Sequence, residues 1–210
     1  MRVYVGQTRS RALIAELTAL GFGECTQPRE VPPRRRPWFL DNAAFSAWRA
    51  GQPFDEAGFL SALTSDAVAS SPPDFVVCPD IVAGGLESLS FSLGWLERCA
   101  STLPGQRFYL AVQNGMTEAD VLAALDGFAG IFVGGDLPWK IRTSAAWVGL
   151  AHRHGLPCHI GRVGTARRVA WARRIGADSI DSCLPLWSRA NLTAFVTAVR
   201  STAAQMEFAP

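Results

Sequence analysis

Residues 177–191 read ADSIDSCLPLWSRAN. The β-prone lead Asp178-Ser179-Ile180 runs straight into Asp181, and Leu184-Pro185 stops any continuation, so Asp181 is expected at the C-terminal tip of a short strand. In a parallel α/β protein such tips carry the chemistry. The same residues also allow a plainer role, in which Asp181 caps the helix that follows. The rest of the chain decides between the two.

Working outward from this stretch, the helical pattern Thr165 to Ile175 precedes it, and before that the strand Pro157 to Ile160 ends at Gly161-Arg162-Val163-Gly164. The alternation continues back to the N-terminus. Gly130 to Val133 ends at Gly134-Gly135 and is followed by the helix Trp139 to His154; Arg107 to Val112 ends at Gln113; Phe75 to Cys78 ends near Asp80. Trp38 to Leu40 ends in Asp41, with its helix inside Phe54 to Ala69. Gly23 to Thr26 is the least strand-like run and leads into the proline-rich, basic segment Gln27 to Pro37 rather than a helix. Arg2 to Val5 is the first strand, with the helix Arg9 to Leu20 closed by Gly21. Eight strands at intervals of roughly 20 to 35 residues are the pattern of repeated β-α units. We expect one α/β domain over residues 1–210, a compact (β/α)8 barrel of the TIM type with some helices lost or shortened and no linker. The alternative is a doubly wound open sheet, which needs fewer strands and a switch point.

The chain is 49% hydrophobic and 18% charged, with no apolar run near the roughly 18 residues of a membrane span and no signal-peptide pattern, so a soluble protein without a membrane partner is expected. Cys25, Cys78, Cys99, Cys158 and Cys183 are odd in number and never in a ligand spacing. His152, His154 and His159 add no four-ligand set. No disulfide framework, metal or cofactor is therefore expected, and a reducing cytoplasm fits best. The net charge of +2 writes no global attraction to a polyanion, so any nucleic-acid contact must come from a local patch. Of the 20 basic residues only Lys140 is a lysine, as a GC-rich genome would produce.

If the barrel closes, Asp41, Asp80, Gln113, Gly134, Gly135, Arg162 and Asp181 meet at one mouth. Each has a plainer explanation. Asp41-Asn42 could cap a helix, Asp80 and Gln113-Asn114-Gly115 could form turns, and GRVGT could be a glycine-rich helix entry that binds a phosphate. Together they are harder to dismiss, because a tip that needs only a turn is as well served by Gly or Ser. Paired carboxylates in a cleft suit glycosidic chemistry. Asp, Gln and backbone N–H groups also suit a guanine edge, with N1–H and N2–H2 donating to a carboxylate and O6 accepting from an amide. Phe45 offers a stacking face.

In order and position these residues resemble the tRNA-guanine transglycosylase (queuine tRNA-ribosyltransferase) superfamily along nearly the whole chain. Leu40-Asp41-Asn42-Ala43-Ala44-Phe45-Ser46 resembles its DSGG-aromatic-Q motif, Val77-Cys78-Pro79-Asp80 the segment whose Asp reads the guanine edge, and Ala111-Val112-Gln113-Asn114-Gly115-Met116 its VQGG segment. Ile131-Phe132-Val133-Gly134-Gly135 is similar to the strand whose glycine amide meets O6, Gly161-Arg162-Val163-Gly164 to the MGVG turn, and Ile180-Asp181-Ser182-Cys183-Leu184-Pro185 with Ser188 and Asn191 to the FDCVLP…S…N stretch around the nucleophile. The departures are Asn42-Ala43-Ala44 for Ser-Gly-Gly, Ser46 for Gln, and Gly161 near the place of a Met. Only about twenty residues follow Asn191, which leaves no room for the family's zinc-binding subdomain. That matches short phage and bacterial relatives that exchange guanine for a 7-deazaguanine in DNA.

The resemblance implies base exchange by double displacement. Asp181 is the expected nucleophile and Asp41 the proton carrier; Asp80, Gln113, Gly134 and Gly135 hold the base, and Phe45 stacks on it. The partners implied are free guanine, a preQ0-like 7-deazaguanine, and a nucleic acid, DNA rather than tRNA. Phosphate contacts are expected from Arg34, Arg35, Arg36, Lys140, Arg162, Arg167, Arg168 and Arg189, with Lys140 and Arg162 foremost because they follow strand ends. The rivals are a glycosylase resolved by water, a barrel enzyme for a phosphorylated small molecule with GRVGT as its phosphate cup, and a silent subunit of a transglycosylase. The inserted deazapurine, the sequence context, the oligomeric state and any need for a partner protein are not written in the chain.

Overall fold

Two-residue alternation along the strands builds the barrel. In β3 (Trp38–Leu40) the outer residues Trp38 and Leu40 pack toward the helices, while Phe39 belongs to a separate inner cluster with Tyr4, Phe75, Val77, Tyr109 and Ala111. The same division holds in β1 (Arg2–Gly6), β4 (Val76–Val77) and β5 (Phe108–Val112). With β2 (Gly23–Thr26), β6 (Gly130–Val133), β7 (Cys158–Ile160) and β8 (Ser179–Ser182), eight parallel strands close in sequence order, β8 pairing back onto β1. The computed structural model describes residues 1–201. The fold is the expected (β/α)8 barrel, not an open sheet.

The bottom of the barrel is filled by aromatic rings. Phe39 stacks on Phe75 at 4.6 Å and Phe75 on Tyr109 at 4.0 Å, while Tyr4 meets Phe39 edge-on at 5.0 Å. Tyr4 donates its hydroxyl to Asp74 below. This plug leaves the polar residues at the strands' C-terminal ends facing the other mouth.

Helices follow the strands: α1 (Arg11–Ala19), α2 (Ala44–Arg49), α3 (Glu56–Leu63), α4 (Asp66–Ser70), α5 (Gly85–Thr102), α6 (Glu118–Leu122), α7 (Leu137–Arg153), α8 (Ala166–Arg174) and α9 (Arg189–Arg200). The single helix expected within Phe54 to Ala69 is two, because Ser65 caps a new start by accepting from the Val68 amide. After β4, β5 and β8, where the sequence reading gives no helix bounds, stand α5, α6 and α9. Among the described residues no helix is long and apolar enough to cross a membrane.

After β2 the expected absence of an α-helix holds, with only a 3-10 turn at Pro28–Glu30. An ion pair occupies the space a helix would cover. Glu24 and Arg35 have fully buried side chains 3.2 Å apart, and Arg35 also donates to the Val5 and Gly6 carbonyls at 2.7 and 3.2 Å. Arg35 is therefore not a phosphate contact; its guanidinium ties the segment 27–37 to β1. Removing either partner would strand a buried charge, at a cost of about 3–5 kcal/mol.

Candidate active site

The alternation that sets the aromatic plug also sets the mouth. Asp41 lies two residues beyond Phe39, Gln113 two beyond Ala111, Gly134 two beyond Phe132, and Asp181 two beyond Ser179, so each continues an inward-facing row. Asp41, Asn42, Phe45, Asp80, Gln113, Gly134, Arg162 and Asp181 line one pocket.

Asp181 is 7% exposed. Its Oδ1 accepts from His159 Nε2 at 3.0 Å and from the Arg162 amide at 3.1 Å, and its backbone carbonyl accepts from Val163 N–H at 2.8 Å. Among the described residues nothing bonds its Oδ2. His159 is fully buried, stacked on Phe132 at 4.8 Å, with Nδ1 2.8 Å from Ser179 Oγ. Burial lowers the imidazole pKa against the opposing pull of Asp181. A neutral ring that donates from Nε2 to the carboxylate accepts the Ser179 hydroxyl proton at Nδ1. Ser179, His159 and Asp181 thus form a chain from the barrel interior to the mouth. Sequence reasoning missed His159 and Ser179. The signal was there, since both stand in inward rows and pair in register.

Asp41 accepts from the Ala43 amide at 3.2 Å. Burial, and next the charge of Asp181, push its pKa up to about 7. Ala43 itself has φ +64°, a left-handed conformation unfavourable for a residue with a Cβ, at the place where the resembled motif has glycine.

Asp80 is held differently. Its oxygens accept from Asn42 Nδ2 at 2.6 Å and Gln113 Nε2 at 2.5 Å, while burial pushes its pKa up to about 6. Asn42, which the sequence offered only as a possible cap and as a departure from the resembled motif, also donates to the Cys78 carbonyl at 2.8 Å and accepts from the Ala44 amide at 2.8 Å. Gln113 Oε1 accepts from the Ala83 amide at 3.1 Å and the Gly135 amide at 2.8 Å. Gly134 N–H continues the β5–β6 ladder to the Val112 carbonyl at 3.0 Å. The Gly134 and Gly135 amides expected to meet a base are therefore both committed within the protein. A Cβ on Gly134 would lie 2.3 Å from Gln113 Nε2, so glycine is needed there for the close passage of the glutamine side chain.

Arg162 roofs the pocket rather than standing outside it. It has φ +57°, donates Nη2 to the Gly135 carbonyl at 2.6 Å, and places its guanidinium 3.6 Å from the centre of the Phe45 ring. The ring face expected for a base is thus covered by a cation. The pocket beneath it is about 40 Å³, room for a few water molecules and not for a purine. A ligand the size of a purine would fit only with Arg162 displaced.

Lys140 is 4% exposed, and its ammonium donates to the Gly161 carbonyl at 2.5 Å. Burial, with Arg162 nearby, lowers its pKa to about 7. It is a buried anchor of the Gly161-Arg162 turn and not a phosphate contact, correcting the expectation. Arg167 is exposed on α8, and exposed Arg189 at the start of α9 is ion-paired with Glu16. The amides of Arg162 and Val163 are turned onto Asp181, so the GRVGT turn does not offer them to a phosphate. No model of a known protein family matches the chain, and no curated protein matches it either.

Proposed function

We propose that the chain is a base-exchange pentosyltransferase that replaces guanine in a nucleic acid, DNA in preference to tRNA, with a 7-deazaguanine such as preQ0. The observation that carries this reading is a pair of inward carboxylates in one pocket with different surroundings. Asp181 is oriented by His159 and keeps Oδ2 unbonded among the described residues, and Asp41 is protonated up to about pH 7.

Asp181 Oδ2 attacks C1′ of a nucleotide turned out of its stack. The C1′–N9 bond breaks, its electron pair leaves with the guanine, and Asp41 supplies the proton that makes the departing base neutral. The incoming 7-deazaguanine returns a proton to Asp41 as its N9 attacks C1′ and breaks the glycosyl ester, so two inversions keep the β configuration. Each Asp80 oxygen accepts one bond from the protein and has a second lone pair free for N1–H and N2–H2 of either base. With the Gly134 and Gly135 amides occupied, Arg162 is the donor within reach of O6 once it lifts from Phe45, which then offers its ring to the base.

Incubation with labelled guanine or preQ0 and separately with single-stranded DNA, duplex DNA and tRNA, followed by nucleoside analysis, tests the reading. Label is expected in DNA. Release of guanine without incorporation would make the protein a hydrolytic glycosylase, and label in tRNA alone would reverse the choice of polymer.

A further inference from the structure

Resting on the base-exchange reading, we propose that a single strand of DNA leaves the pocket along a trough in the β2–β3 corner, with its phosphates held by Arg29, Arg34 and Arg9. Three hollows share their walls in sequence. A cleft of about 440 Å³ between the ends of β1 and the segment 27–37 has Arg29 in common with a hollow of about 210 Å³ against α2, and that hollow has Asn42 in common with the carboxylate pocket. The three hollows therefore adjoin one another in a row from the surface toward Asp41, Asp80 and Asp181, with Arg29 and then Asn42 as the shared walls.

The charges of the outer cleft match a polyanion. Arg9, Arg29 and Arg34 line the outer cleft against one carboxylate, Glu30, which accepts from the Gln27 amide at 3.0 Å. All three arginines are exposed. Arg34 touches Gln7 Oε1 at 3.3 Å, and Arg29 holds Asp55 at 3.0 Å in a pair whose side chains are 85% and 45% exposed, the kind a phosphate can displace. The corner is open because no helix covers β2. Beside the pocket, Trp48 is 57% exposed and its ring lies 5.8 Å from Phe45, offering a stacking face to an unpaired neighbouring base. A row of arginines along a trough with an exposed indole near its inner end suits a flexible phosphodiester strand, and an unpaired strand presents both features at once.

The test is fluorescence anisotropy of a labelled guanine-containing DNA strand with the parent and with Arg9→Ala/Arg34→Ala, Trp48→Ala and, on the opposite end of the barrel, Arg174→Ala. We expect the double variant to weaken binding on the order of tenfold and to lower the slope of log affinity against log salt by about two. Trp48→Ala should weaken it about fivefold or more with little change of slope, and Arg174→Ala should match the parent. Each variant alters an exposed side chain, and thermal unfolding checks that it is folded. A double variant with parental affinity and slope overturns the trough, whether or not base exchange occurs. Preferential binding of RNA of the same sequence overturns DNA as the occupant. If binding responds as expected but no base is exchanged, the trough stands and the transfer chemistry falls.

Discussion

Asp80 and Asp181 are both buried carboxylates at strand tips, 6% and 7% exposed, yet the protein surrounds them in opposite ways. On the β3–β6 side Asp80, Asn42, Gln113 and the Gly135 amide are bonded to one another, so that the side chains brace four strand ends. On the β7–β8 side His159 and the Arg162 amide both address Asp181 Oδ1 and orient the group without consuming Oδ2. A braced network supplies rigidity and shape, with one lone pair on each Asp80 oxygen left over, whereas a carboxylate fixed at one oxygen keeps the other free for the attack that the proposed exchange requires. The mouth divides its labour along that line.

The sharpest way to break the comparison is Asp181→Asn. The amide keeps the shape but is a poor nucleophile, so exchange should fall on the order of 10⁴-fold or more while the melting temperature stays near the parent's. Retained incorporation of label would move the nucleophile elsewhere. The opposite pattern is expected for Gln113→Leu, which leaves Asp80 and the Ala83 and Gly135 amides without their partner. Stability should drop by about 2–5 kcal/mol, roughly 10 °C of melting temperature. A loss of activity with unchanged melting would show that Gln113 serves the base and not the scaffold.

Asp41 sharpens the contrast through pH. Its folded pKa of about 7 lies above its ordinary value of 3.8, so the folded state holds a proton that the unfolded chain has released. Its contribution to stability is present below about pH 4 and is lost as pH rises toward 7. Exchange should decline over the same upper limb, because the acid is consumed. In Asp41→Asn the fall of stability between those limits should flatten, which unfolding at a series of pH values would show; an unchanged slope would place the titration elsewhere.

The barrel was legible because its signal is local and repeated. Eight β-prone runs end in polar or glycine tips, and β2 lacks a following helix in the sequence as in the fold. The convergence of Asp41, Asp80, Gln113 and Asp181 followed from closure alone. What the sequence hid was the use of lone pairs. Whether the Gly135 amide meets a ligand or Gln113 depends on a side chain folding back across two strands, and nothing in the spacing reports that. Lys140 fails as a phosphate contact for a similar reason, since following a strand tip does not say whether a side chain turns outward or under. His159 was visible as one of three histidines without a metal set, but its meaning required the register of β7 on β8.

The solitary lysine has a practical consequence. Nineteen of the twenty basic side chains are arginines, so residues 1–210 carry a single lysine amine, the Lys140 ammonium packed beneath the Gly161-Arg162 turn. Reductive methylation with isotope-enriched formaldehyde would therefore place one internal probe in the molecule, beneath the turn whose Arg162 side chain roofs the pocket. Its rate of modification would count openings of that turn, and its resonance would sense the arrival of a ligand, without any engineered label.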